Sequence, residues 1–152
     1  MYQIESLTNF GDIHIGDKGG WIENEKNLSQ NGNAWVYGNA YVYGNAKVYG
    51  DACVSSNAYV CNDAEVCGDA EVCGDAWVCD DSEIIWISKI GSNLRTTTVF
   101  RNKDKGLTIK CGCFIGTLEE FEKEVEATHG ESKYSKEYKA FIDLVKIHFE
   151  VE

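Results

Sequence analysis

A run of seven residues, Arg95-Thr96-Thr97-Thr98-Val99-Phe100-Arg101, sets three threonine hydroxyls between two arginines. Guanidinium forks and hydroxyls make charge-assisted hydrogen bonds to phosphate oxygens, so Arg95, Thr96, Thr97, Thr98 and Arg101 are candidate anion ligands. A solvent-facing strand rich in threonine would have the same composition. Upstream, Tyr41, Tyr59 and Trp77 recur every 18 residues, and rings of that kind offer a stacking platform for a nucleobase. Rings for a base and arginines for a phosphate suit a nucleotide. Such a site needs only to bind.

Other reactive side chains are sparse. Histidine occurs at 14, 129 and 148, and none lies between residues 31 and 90, so that stretch has no imidazole to act as a general base. His129 stands in Thr128-His129-Gly130, where a helix should end, and a cation there meets the carbonyl dipole favourably. Cys111-x-Cys113 puts two thiols on one side of a strand, but no second pair at ligand spacing accompanies it. No metal and no cofactor is expected. Seven cysteines is an odd number, and Cys61, Cys67, Cys73 and Cys79 each follow a valine at six-residue intervals. They read as reduced thiols packing like small apolar residues, although Cys61 and Cys79 would be neighbours in an 18-residue coil.

What positions these groups is a repeat. Alanine recurs at 34, 40, 46, 52, 58, 64, 70 and 76, and valine two residues after each. A six-residue period means that no copy buries its apolar side alone and each must stack on its neighbours. Alternation turns Ala and Val inward and the residue between them outward. The Gly-Asn or Gly-Asp pair that follows makes a corner, because both types tolerate left-handed backbone. The absence of proline suits a backbone whose N–H groups are paired to the coil above or below.

The weaker copies Ser82/Ile84 and Ser88/Ile90 place the end of the repeat within 84–90. Before it, residues 1–30 read as short strands, Tyr2–Leu7 and Asp12–Ile15, with turn signals at Gly11, Gly16, Gly19 and Gly20. Ile22 and Leu28 fall on the alanine column. After it, Thr96–Arg101 and Leu107–Phe114 read as strands. Thr117 and Glu120 form a capping box for a helix that stops at Gly130. A second helix places Tyr134, Tyr138, Phe141, Ile142, Val145 and Phe149 on one face.

The motif resembles the hexapeptide repeat of left-handed parallel β-helices, with Val36-Tyr37-Gly38-Asn39-Ala40 as one match. That resemblance implies three hexads per triangular coil. The outward residues then sort into the columns Trp35–Cys53–Glu71, Tyr41–Tyr59–Trp77 and Lys47–Glu65–Glu83, whereas a 12-residue coil would mix aromatic and charged residues. The implied fold is mainly β: a short left-handed parallel β-helix of about three coils, then a small α+β C-terminal domain. The segments are 1–30, a lead-in cap; 31–90, the β-helix; and 91–152, the α+β domain. The wording GDKGGWIENEKNLS, RTTTVFRNKD, CGCFIGTLEEFEKEVEATHG and KYSKEY is similar to hexapeptide-repeat proteins of bacteriophages and prophages. It implies a phage setting but no established activity.

The same fold family implies acyltransferases, which use a histidine between coils; the repeat has none, so no enzyme and no catalytic residue is expected. Net charge is −11, which opposes direct nucleic-acid binding. Residues 84–116 nevertheless hold six basic side chains against one acid, a local cationic island. The expectation is a non-catalytic protein that sequesters a host nucleotide (immune) signal and so inhibits antiviral defence. The alternatives are a protein-interaction or DNA-mimic module, the latter suggested by Asp51, Asp63, Asp69, Asp75 and Asp81, or an acyltransferase. Asn fills the same slot at 33, 39, 45 and 57, as turn chemistry alone requires. Exposed rings would also serve a homo-oligomer seam, a trimer in this fold family. With no basic-then-apolar leader and no membrane-length apolar run, a cytoplasmic protein is expected.

Overall fold

Each Ala-x-Val copy forms a two-residue strand, because its branched valine packs inward while its neighbours supply the ladder. In the computed structural model, which describes residues 1–152, the chain divides into two units, Met1–Asp81 and Ser82–Glu152. The first begins with β1 (Tyr2–Glu5) antiparallel to β2 (Lys18–Ile22). The repeat follows as β3 (Trp35–Val36), β4 (Tyr41–Val42), β5 (Lys47–Val48), β6 (Cys53–Val54), β7 (Tyr59–Val60), β8 (Glu65–Val66), β9 (Glu71–Val72) and β10 (Trp77–Val78).

Pairing skips two strands each time: β3-β6-β9, β4-β7-β10 and β5-β8 are parallel ladders in register, with Tyr41 opposite Tyr59 and Tyr59 opposite Trp77. This is a three-sided parallel β-helix of about three coils. The amides of Trp35, Tyr41 and Lys47 donate to the carbonyls of Ala52, Ala58 and Ala64 at 2.9–3.1 Å. The valines from 36 to 78 are fully buried. At the corners, the first residue of each pair takes the left-handed conformation. Gly38 and Gly44 have φ of 55° and 67°, and Ser56 and Asn62 stand in the same slot at 63° and 54°. The following Asn or Asp does not share it, which narrows the turn argument to one position.

The lead-in differs from expectation. Residues 12–15 form only an isolated bridge, Phe10 to Ile13, and Gly19 and Gly20 lie inside a strand. A Cβ on Gly20 would come within 2.7 Å of the Ala40 carbonyl, so close backbone approach, not turning, is what needs the glycine. Ile22 and Leu28 sit over Val42 and Val48, on the valine column, because this coil is 20 residues long. Asn27 ties it to the adjacent coil. Fully buried, it donates to the carbonyls of Ala46 and Gly44 at 2.8 and 3.1 Å and accepts from the Asn24 amide. Cys61 and Cys79 are joined as a disulfide with Cα atoms 4.3 Å apart. This corrects the expectation of free thiols there.

The second unit is a four-stranded antiparallel sheet, β11 (Ile84–Ile90), β12 (Arg95–Arg101), β13 (Leu107–Cys111) and β14 (Phe114–Gly116), in sequential order. Residues 84–90 thus belong to this sheet and not to the repeat. Two helices follow, α1 (Leu118–His129) and α2 (Lys133–His148). The Thr117/Glu120 capping box is present. Val99 and Ile109 of the sheet pack with Phe121, Val125, Phe141 and Val145 of the helices into one core. No helix is long and apolar enough to cross a membrane.

Candidate functional site

Strand register puts the predicted rings in one column. Tyr41, Tyr59 and Trp77 stack with centroids 5.3 and 5.1 Å apart and planes within 12° and 25°. Trp21 extends the column at 6.3 Å; the 18-residue spacing could not reveal it, because the lead-in coil is two residues longer. Tyr43 meets Tyr59 edge-on. Because each ring lies against the next along the coil axis, the faces of Tyr41 and Tyr59 are already covered. What they offer outward is their edges. A nucleobase therefore cannot stack on the middle rungs, and only Trp77, 45% exposed at the end of its sheet, keeps a ring substantially open.

The arginine–threonine strand is β12, in the second unit. Residues 95, 97, 99 and 101 share the face covered by the helices. Thr97 is fully buried and its hydroxyl donates to the Cys111 sulfur at 3.2 Å. Thr98 is fully buried on the opposite face. Thr96 is half-buried and bonded to the Ser88 hydroxyl at 2.8 Å. Arg101 donates to the carbonyls of Lys105 and Phe149 at 3.0 and 3.1 Å and lies 5.1 Å over the Phe149 ring, anchoring the end of α2. The two arginines stand six residues apart, or roughly 20 Å along a strand, so they cannot hold one phosphate. The expected group thus contracts to Arg95. Thr97 and Thr98 are buried, one on each face of the sheet, and Arg101 is committed to the end of α2.

Arg95 opens onto a cleft of about 250 Å³ in the same unit, shared with Cys113, Phe114, Glu124, His129 and Tyr138. The β13–β14 turn makes room for it: Gly112 has φ of 57°, and a Cβ there would collide with the guanidinium. The guanidinium makes no ion pair. It lies close enough to the Tyr138 phenol to oppose the rise in that group's pKa, which burial and the adjacent Cys111 thiol push up to about 12. Tyr138 therefore stays a neutral donor throughout the physiological range. His129, in the last turn of α1, stacks on Tyr138 at 5.5 Å and 25°. Glu124 accepts from the Thr128 hydroxyl at 3.1 Å.

Sequence reasoning saw Arg95, and saw His129 as a helix terminus; it missed Glu124 and the cleft. The other histidines are remote from it in role: His14 is an exposed partner of Asp17, and His148 rests edge-on against Phe149. No three His, Cys, Asp or Glu side chains are grouped to hold a metal ion. Chemically, the cleft has a cation, a carboxylate, a phenol and half-buried rings around a space for one small molecule.

Comparison with known proteins adds little to that geometry. No family model matches the chain, and no solved structure matches it. A stretch of 37 residues is 43% identical to an uncharacterized acetyltransferase, YdcK, of Escherichia coli (strain K12), covering 24% of this chain and 11% of that protein.

Proposed function

We propose that the protein binds and sequesters a small anionic ligand of nucleotide type without transforming it. The observation that carries this reading is the unpaired Arg95 guanidinium facing a cleft with aromatic walls. A cation without a counter-ion is a ready partner for a phosphate. The volume, about 250 Å³, sits just below the roughly 300–1,000 Å³ of ordinary ligand pockets, which suits a mononucleotide better than a cyclic dinucleotide. In the phage or prophage setting that the wording of the sequence suggests, the ligand would be a host immune nucleotide in the cytoplasm. Sequestering it would blunt antiviral defence.

Isothermal titration of the full chain with mononucleotides, cyclic mononucleotides and cyclic dinucleotides tests this. Binding of a mononucleotide class, weakened roughly 10- to 100-fold by Arg95→Ala and unchanged by Trp77→Ala, supports the cleft. Blank titrations throughout would remove the reading.

A second reading is favoured by the solenoid's aromatic column, whose ring edges form an uncharged face on an acidic unit. Such a face suits association with another protein or with further copies of this chain, including a trimer. Light scattering of wild type and Trp77→Ala distinguishes it. Acyl transfer, suggested by the short likeness to an acetyltransferase, would have to proceed without any histidine between residues 31 and 90.

A further inference from the structure

Arg95 and Glu124 line one cleft, yet they make no ion pair with each other. The carboxylate is held by its own helix: the Thr128 hydroxyl, one turn on, donates to Oε1 at 3.1 Å. That bond fixes the rotamer and leaves Oε2 and the remaining lone pairs open, since a carboxylate has about four acceptor sites. An oriented carboxylate and an unpaired guanidinium within one small space call for a ligand that is anionic at one point and carries donors at another. Half-buried Phe114 and His129 give the intervening surface an aromatic character.

We propose that Glu124 is the specificity-determining residue of this cleft and selects a guanine base, with Arg95 taking the phosphate. The proposal rests on the nucleotide reading above. The Watson–Crick edge of guanine sets two donors side by side, N1–H and N2–H, and one carboxylate accepts both. Adenine places an acceptor nitrogen beside its amine, as does cytosine, and each would set a lone pair against the carboxylate. Uracil presents one N–H between two carbonyls. A carboxylate lining the cleft rejects such edges because the mismatch leaves acceptors facing each other without a proton.

The test is a titration of wild type, Glu124→Gln and Arg95→Ala with the 5′-monophosphates of guanosine, adenosine, cytidine and uridine. Glu124 is exposed, so the glutamine variant should fold, and a circular-dichroism melt checks it. Expected is a preference of at least tenfold for the guanosine nucleotide, lost in Glu124→Gln while binding of the others is retained, and weakened binding of all four in Arg95→Ala. Equal binding of the four by wild type, or a guanine preference that survives Glu124→Gln, overturns this inference and leaves nucleotide binding standing. Failure of all four to bind overturns this inference, and the nucleotide reading falls with it when the cyclic nucleotides are blank as well.

Discussion

Reducing the Cys61–Cys79 disulfide should weaken the solenoid by an amount that its topology dictates. The bridge spans 18 residues, one full coil, so it ties a rung to the rung directly above. Closing a loop of that length removes about 3 kcal/mol of chain entropy from the unfolded state. For a unit of 81 residues, at about 4–8 °C per kcal/mol, this corresponds to a fall in melting temperature of roughly 12–24 °C. The assay is a circular-dichroism or calorimetric melt with and without a phosphine reductant, alongside thiol counting in denaturant. Five thiols should titrate before reduction, and seven after it. The Cys61→Ala/Cys79→Ala variant should melt near the reduced wild type and ignore the reductant. Seven thiols without reductant, or a reduced protein melting within a degree or two of the oxidised one, would refute the reasoning.

Three further outcomes follow from the packing and electrostatics. Val66→Ala empties a fully buried position on the valine column and should cost about 2–3 kcal/mol in a urea titration, from lost transfer energy plus the cavity left behind. Thr117→Ala removes the hydroxyl that accepts from the Glu120 amide at 3.2 Å and should destabilise the second unit by about 1 kcal/mol. Burial raises the Tyr138 phenol to about 12, above its unfolded value near 10. The stability it contributes is therefore complete below pH 10 and disappears as pH climbs from about 10 to about 12. Tyr138→Phe should flatten that limb of the pH–stability curve.

The solenoid was legible because its period does two jobs at once. Ala-x-Val sets which side chains go inward, and the 18-residue coil sets which outward residues touch, so the Tyr41–Tyr59–Trp77 column could be read without coordinates. Trp21 could not, because its coil has 20 residues and breaks the grid. Ile22 and Leu28 slip from the alanine to the valine column for the same reason. The end of the repeat was obscured by Ile84 and Ile90, which keep the spacing while belonging to the longer strand β11.

The cleft was the least legible part. Its lining comes from strand β12, the Cys111–Phe114 turn and both helices, and no spacing in the chain links Arg95 to Glu124 or Tyr138. One signal was available for the arginine strand. Two amphipathic helices must cover one face of the sheet, so alternate residues of Arg95–Arg101 had to be drawn inward. That argument assigns Thr97 to the core and leaves Arg95, at the strand's end, as the residue able to reach a ligand.

A chemical-shift titration of the labelled full chain with guanosine monophosphate locates the ligand directly. The account predicts perturbations concentrated at the amides of Gly112, Cys113, Glu124 and His129 and at the Arg95 side chain, with Tyr41, Tyr59 and Trp77 unmoved. Shifts confined to the solenoid rings, or no shifts at millimolar nucleotide, would contradict it.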